Sequence, residues 1–350
     1  MADPSRLTGL MAEATRVVIV KPSSLGDIVH TLPAVARLRQ RWPGMHLSWV
    51  VNTEFAPLLE ENPDVDETIT FPRSTFRGRG GLRRFRAWLG ELRSRARADI
   101  ALDFQGLLRS AVISRATGAR TTVGLSDSRE GARWLHHIRV DCGSTLQPHA
   151  VQRYLTLGAA CGADISGPLA FPLPSGRCPE ALDPLHLPRP FLLLHPFSRG
   201  KGKSLSPELV ARLCTLLAPL HVLLAGRCET THMQGVTLPP NTTSLLNRTS
   251  LPELVWLMRK AHAVISVDSG PMHIAAALTP RLLGLHTWSN PLLVGPANPH
   301  ASIWKSGHIL SCINPDPATC ASPGRSFLES DLPHWVTWVR QWPGLTHEVT

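Results

Sequence analysis

With 350 residues, 43% of them hydrophobic, the chain is long enough for two domains, each with its own core. No apolar run reaches the roughly 18 residues of a membrane span, and seven scattered cysteines without a C-x-x-C pair argue against a zinc site and for a reducing compartment. A formal net charge of +10, carried mostly by arginine, suits nucleic acid, an anionic membrane surface or a phosphorylated substrate.

Residues 1–15 lack the apolar segment of a signal peptide and are expected to be a loose tail. Val17 to Val20 reads as a strand, followed by the polar, Gly-containing loop Lys21-Pro22-Ser23-Ser24-Leu25-Gly26-Asp27. Helix is expected from Ile28 onward, with Ile28, Leu32, Val35 and Leu38 on one apolar stripe. Asp27 then stands at the carboxyl end of the first strand, where open α/β sheets bind ligands. An Asp at such a place is also an ordinary helix cap, and both readings stay open. Strands follow at Leu47–Val51, Glu67–Phe71 and Ile100–Leu102, with a short helix at Phe55–Glu61 and a longer one from Leu107 to Ala116. Between Arg73 and Arg97 lie nine Arg and one Glu, Glu91. Pro72–Gly81 reads as a flexible loop, and Leu82, Phe85, Leu89 and Leu92 form a helical stripe through the basic run. A charge run of this kind is either a recognition surface or a solvated helix face.

Residues 166–190 are rich in Pro and weakly periodic, as an interdomain linker is. The alternation then resumes. Phe191–Leu194 and His221–Leu224 read as strands, Ser206-Pro207 as a helix start, and Ser250-Leu251-Pro252-Glu253 as a capping box. Ala263–Val267 is a strand, Asp268-Ser269-Gly270-Pro271 a break, and His273–Ala277 helix. A strand, tight turn and helix N-terminus in that order make either an anion site, most usefully for a diphosphate, or an ordinary βα turn of any α/β domain. Leu282–Leu285 is a further strand, and Asp331–Trp342 an amphipathic closing helix whose Trp stripe belongs to the core. Cys312 and Cys320 lie in one late loop, but free thiols are expected. Two βα-alternating halves imply doubly wound parallel sheets and a ligand cleft.

Taken as a pair, K-x-S-S-x-G-D-I-x-H-x-L-P and VDSGPMHIAAA resemble glycosyltransferase family 9, the ADP-heptose:lipopolysaccharide heptosyltransferases. Asp103-Phe104-Gln105-Gly106-Leu107-Leu108-Arg109-Ser110 resembles the family's D-x-Q-G-L-x-[KR]-S, and Gly124–Glu130 with His149–Arg153 are similar to its heptosyltransferase I branch. His195–Ser198 and Leu224–Gly226 agree with the expected strand ends of the second half. The resemblance spans roughly residues 16 to 310. It implies the α/β GT-B fold, two Rossmann-like domains facing across a cleft. The expected plan is a tail at 1–15, an acceptor domain at 16–170, a linker at 171–190 and a nucleotide-sugar domain at 191–350.

The resemblance also implies site roles. Asp27 is the general base, and Ser24, Gly26, Arg73, Arg77 and Arg79 meet the acceptor. Ser198, Lys203, Glu229, Thr249, Asp268, Ser269, Gly270 and His273 hold the donor. Lys203 departs from the family's Lys-x-Trp-Pro spacing, so Lys201 is a rival for the diphosphate. The single D-x-D spacing, Asp64-Val65-Asp66, lies away from the donor motif, so no metal and no cofactor are expected. The implied enzyme is a cytoplasmic, peripheral monomer on the inner membrane, moving heptose from ADP-heptose to a Kdo-bearing lipid A, without nucleic acid. The alternatives are a family 9 transferase with another nucleotide sugar, a sugar-nucleotide epimerase of the same fold, or a basic nucleic-acid-binding protein. Against the last, the arginine run carries few aromatics for base stacking: Phe76, Phe85 and Trp88.

Overall fold

The computed structural model describes residues 4–142, 149–183 and 187–342. It divides into two compact units, Met1–Pro174 and Ser175–Thr350. Residues 1–3 of the expected tail and 184–186 of the expected linker lie outside the described residues. The rest of 171–190 carries no helix or strand.

The first unit runs α1 (Pro4–Glu13), β1 (Arg16–Val20), α2 (Leu25–Arg41), β2 (His46–Asn52), β3 (Glu67–Phe71), α3 (Gly81–Ala96), β4 (Ile100–Asp103), α4 (Leu108–Ala116), β5 (Thr121–Leu125), β6 (Ile138–Val140) and α5 (Ala150–Ala160). Its six strands are all parallel, in the order β3-β2-β1-β4-β5-β6. A parallel sheet is covered on both faces, so its strands read as apolar runs: Val17 to Val20 are buried without interruption. The expected loose tail is helical over most of its length. Leu7 and Met11, four residues apart, fall on one face of α1 and are fully buried, which ties the segment down. The short helix at 55–61 is a 3₁₀ turn at Thr53–Leu59.

The second unit runs β7 (Phe191–His195), α6 (Pro207–Leu217), β8 (His221–Gly226), β9 (Thr242–Leu246), α7 (Leu251–Lys260), β10 (Ala263–Val267), α8 (Gly270–Leu278), β11 (Leu282–His286), α9 (Pro291–Val294), β12 (Ser302–Lys305), β13 (His308–Ser311), α10 (Pro317–Ala321) and α11 (Leu332–Arg340). The sheet order is β13-β12-β11-β10-β7-β8-β9, parallel except for the β12/β13 hairpin. Trp335 of α11 is fully buried, its ring 5.6 Å from Trp304 and 5.7 Å from Phe327, so the tryptophan stripe is core. All seven cysteines are free, Cys312 and Cys320 included. No helix among the described residues is long and apolar enough to cross a membrane.

One close approach links the first unit's fold to its loops. Gly124 in β5 lies under the ring of His136; a Cβ there would come within 2.2 Å of Cε1. His136 in turn places Nε2 3.0 Å from an Asp103 carboxylate oxygen, both side chains fully buried. Gly124→Ala must displace the ring. It is expected to cost about 1–3 kcal/mol in denaturant unfolding, the range for overpacking a core. Gly44→Ala, with open space around the new Cβ, is expected to change stability by under about 0.5 kcal/mol.

Candidate functional site

Each sheet has one point where the winding reverses, and there the loops leaving neighbouring strands part to form a crevice. In the first unit it lies between β1 and β4; in the second, between β7 and β10. The motifs singled out in the sequence leave the carboxyl ends of those four strands.

In the first unit Lys21 ends the β1 run with its side chain inside, 2% exposed. Its ammonium donates to the Phe104 carbonyl at 3.1 Å and to the Tyr154 hydroxyl at 2.7 Å. Tyr154, from α5, donates onward to Asp27 Oδ1 at 3.1 Å. The other oxygen of Asp27, Oδ2, accepts from the Ser24 backbone N–H at 3.0 Å and the Ser24 hydroxyl at 2.7 Å. Helix capping is thus what Oδ2 does, and it starts α2 at Leu25 rather than Ile28. Burial works against the charge of Asp27. The Lys21 ammonium and the hydrogen bonds from Ser24 and Tyr154 outweigh it and hold the carboxyl below its ordinary range. Burial also pushes Lys21 down to about 8, against the pull of Asp27 and Asp103.

The β4 end is built from the D-x-Q-G-L stretch. Asp103 Oδ1 accepts from the N–H groups of Gln105 and Gly106 at 2.9 and 3.0 Å, and Oδ2 from the Ser110 hydroxyl at 2.8 Å. Gln105 then accepts from the Ser23 N–H at 3.1 Å, joining the two loops of the crevice. Gly26 is buried in the first turn of α2.

In the second unit Lys203 reaches Asp268 at 2.5 Å, and the Ser289 hydroxyl donates to the same carboxylate oxygen at 2.6 Å. His286 Nδ1 lies 2.9 Å from the Ser289 oxygen. The one serine proton goes to Asp268, so Nδ1 must carry its own hydrogen. Burial pushes His286 down to about 4, leaving the ring neutral at pH 7. Burial opposes the charge of Asp268 as well, but the hydrogen bonds from Lys203 and Ser289 and the charge of Lys203 hold it below the carboxylate range. Ser198 shapes the lysine loop: its N–H donates to the Ser204 hydroxyl at 2.9 Å, and Lys201 is exposed on that loop.

The helix after β10 starts at Gly270, three residues before the expected His273, because Pro271 fits the first turn of a helix. Ser269 and Gly270 therefore present the N-terminal amides of α8 beside Asp268. His273 is buried one turn further in. Glu229 is exposed in the coil after β8, and Thr249 is half-buried after β9, just before the Ser250–Glu253 capping box of α7. They stand one and two strands along from β7, outside the Lys203–Asp268–Ser289 cluster.

The arginine run is not one free surface. Arg84 donates to the carbonyls of Thr75, Arg77 and Arg79 at 2.6, 2.9 and 3.2 Å and braces the loop that was expected to be flexible. Residues 73–76 form a 3₁₀ turn there. Arg95 pairs with Glu67. Arg73 and Arg77, with Arg109, line a cavity of about 350 Å³ whose floor is Phe71, Phe76 and Phe85; Arg79 is not among its lining. The D-x-D spacing is structural, since Asp66 accepts from Arg39 at 2.5 Å and from the Leu47 N–H at 2.7 Å.

Sequence reasoning missed Lys21, Tyr154, Gln105 and Ser289 as parts of the two sites. Lys21 carried a signal, a cation closing an apolar strand. Tyr154 and Ser289 did not, because topology alone brings them to their partners.

Comparisons with known proteins agree with this architecture. The chain is 29% identical over 297 residues to lipopolysaccharide heptosyltransferase 1 of Pseudomonas aeruginosa, covering 80% of this chain and 81% of that protein. It is 29% identical over 307 residues to the enzyme of that name from Salmonella typhimurium, covering 80% and 90%. The structure of E. coli heptosyltransferase WaaC with ADP superposes with a TM-score of 0.70 at 21% identity, over 92% of this chain and 99% of that one, which shows a GT-B fold of two Rossmann-like domains. The model of glycosyltransferase family 9 (heptosyltransferase) matches residues 86–314, well over half of the sequence, and the chain belongs to that family of enzymes.

Proposed function

We propose that this glycosyltransferase moves heptose from ADP-heptose to a Kdo-bearing lipid A acceptor, with inversion at the anomeric carbon. The observation that carries the reading is the state of Asp27. It is an ionised carboxylate at a ligand-binding strand end, with three hydrogen bonds from Ser24 and Tyr154 fixing its plane. A carboxylate has about four acceptor directions, so one remains for an incoming hydroxyl. The donor half of the reading is supported by the named relatives and by the nucleotide in the WaaC structure.

In this reading the acceptor hydroxyl gives its proton to Asp27 as its oxygen bonds to the anomeric carbon. The bond from that carbon to the diphosphate oxygen breaks, and ADP leaves with the electron pair. Lys203 and the amides at the start of α8 receive the charge that develops on the diphosphate. Asp268, now paired with Lys203, exchanges part of that contact for the sugar when the donor arrives. Ser198 keeps the lysine loop in shape, while Glu229 and Thr249 hold the ribose and the adenine. His273, buried under the turn, supports it.

Ser24 and Gly26 border the acceptor, and Arg73, Arg77 and Arg79 meet its carboxylates and phosphates through bidentate pairs. The aromatic floor of the arginine-lined cavity suits an amphiphilic acceptor rather than a free anion. With a lipid acceptor and a net charge of +10, the enzyme works as a peripheral monomer at the cytoplasmic face of the inner membrane.

Three outcomes are expected. Asp27→Asn lowers kcat by at least about 100-fold with ADP binding retained; a near-normal kcat removes the base role. Lys203→Ala weakens ADP by about 1.5–3 kcal/mol in calorimetry. Lys201→Ala leaves it nearly unchanged, and the reverse order would assign the diphosphate to Lys201. Replacing Arg73 and Arg77 together by Gln raises the acceptor KM about tenfold or more without changing donor affinity; an unchanged acceptor KM returns this loop to an ordinary solvated surface.

A further inference from the structure

We infer that Tyr154 is a positioning residue for the base: its phenol, oriented by Lys21, fixes Oδ1 of Asp27 and so determines where the carboxylate can take a proton. This rests on reading Asp27 as the base.

The direction of the Tyr154 hydrogen bond is forced. An ammonium has three donors and no acceptor. Lys21 spends one on the Phe104 carbonyl and one on the phenol oxygen, and its Nζ also lies 4.6 Å from the centre of the Tyr154 ring. The phenol oxygen is occupied as an acceptor, so its single proton must point to Asp27. Carboxylate torsions are broad and two-fold. The capping bonds from Ser24 hold only Oδ2; the phenol holds the other oxygen.

Three separate elements converge on this point: β1 brings Lys21, α2 brings Asp27 and α5 brings Tyr154. The ring is 3% exposed and packs edge-on to Phe104 with centroids 6.0 Å apart, so the phenol cannot turn away. Val151, Tyr154, Leu155 and Gly158 share a buried face of α5, and at Gly158 that face lies against α2 at Ala34.

The charges facing Lys21 are Asp27 on α2, Asp103 at the β4 end, Arg129 after β5 and Arg153 on α5. When Lys21 loses its proton, its nitrogen can accept from the phenol, and the hold on Asp27 is released.

Tyr154→Phe keeps the packing and removes only the hydroxyl. The expected result is a fall in kcat of about tenfold with ADP affinity unchanged. The acid limb of kcat/KM moves to higher pH, because the carboxylate has lost a donor that favours its charge. In the unmodified protein kcat declines as pH rises through about 8, where Lys21 deprotonates, and in Tyr154→Phe that decline disappears. A kcat within twofold of the parent with both limbs in place would overturn the inference.

A second measurement needs no turnover. The chain has one tyrosine, so the near-ultraviolet absorbance of tyrosinate reports Tyr154 alone. Burial and the facing charge of Asp27 keep this phenol protonated well above the usual range. In Asp27→Asn it should ionise at lower pH. An unchanged titration means that the phenol does not face Asp27, and the inference falls. A shifted titration in Asp27→Asn, together with an unmodified protein that transfers no heptose, would instead sink the functional reading and leave the geometry standing.

Discussion

A buried ammonium has to be paired, and in the first unit Lys21 is that ammonium. The strand-end chemistry around it follows from this need: an isolated charge in an apolar interior is far too costly to keep. Its partners are a backbone carbonyl from the β4 end, a phenol from α5 and, through that phenol, the carboxylate of α2. Solvation that water would have supplied comes from three elements at once, and their mutual placement is fixed as a result. The same arrangement keeps Asp27 charged although burial disfavours it. Local structure and charge state share one cause here, since the group that orders the loop also lowers the carboxyl of Asp27.

The second unit solves a related problem with a different set of groups. Asp268 stands at the strand end beside the amides of α8, and a buried carboxylate there needs donors. Lys203 and Ser289 supply them, with neutral His286 holding Ser289 from behind. The lysine charge is thus compensated by protein. In the function proposed above, an arriving diphosphate would compete for a cation that is already placed, instead of ordering a free side chain. Fixed donors of this kind cost little reorganisation when charge develops.

Much of this was readable in the residues. Parallel strands buried on both faces announce themselves as apolar runs, which is why β1, β7 and β10 fall where the pattern puts them. The two loops with Gly, Ser and Asp between strand and helix mark both switch points. Periodicity puts the helix starts at Ile28 and His273, three residues late, because it sees the apolar stripe, whereas the first turn is set by Ser24, Asp27 and Pro271, whose role is hydrogen bonding and backbone shape. Helix α1 escaped because two residues, Leu7 and Met11, carry its burial, too few for a periodic signal. The contact of Tyr154 with Asp27 spans 127 residues, and no local rule reaches that far. Nor does charge counting reveal that Arg84 is spent on three carbonyls of its own loop while Arg73 and Arg77 remain at the cavity.

The function proposed above makes Asp27 of the first unit the base, and Lys203 of the second the diphosphate ligand, of one transfer reaction. The most direct measurement is the mass and anomeric configuration of the product formed by the purified enzyme from ADP-heptose and a Kdo-bearing lipid A acceptor. The account predicts an acceptor heavier by one heptose residue, joined with inverted configuration, and one ADP released for each sugar transferred. Release of ADP with free heptose alone, a retained configuration, or an acceptor of unchanged mass would contradict it.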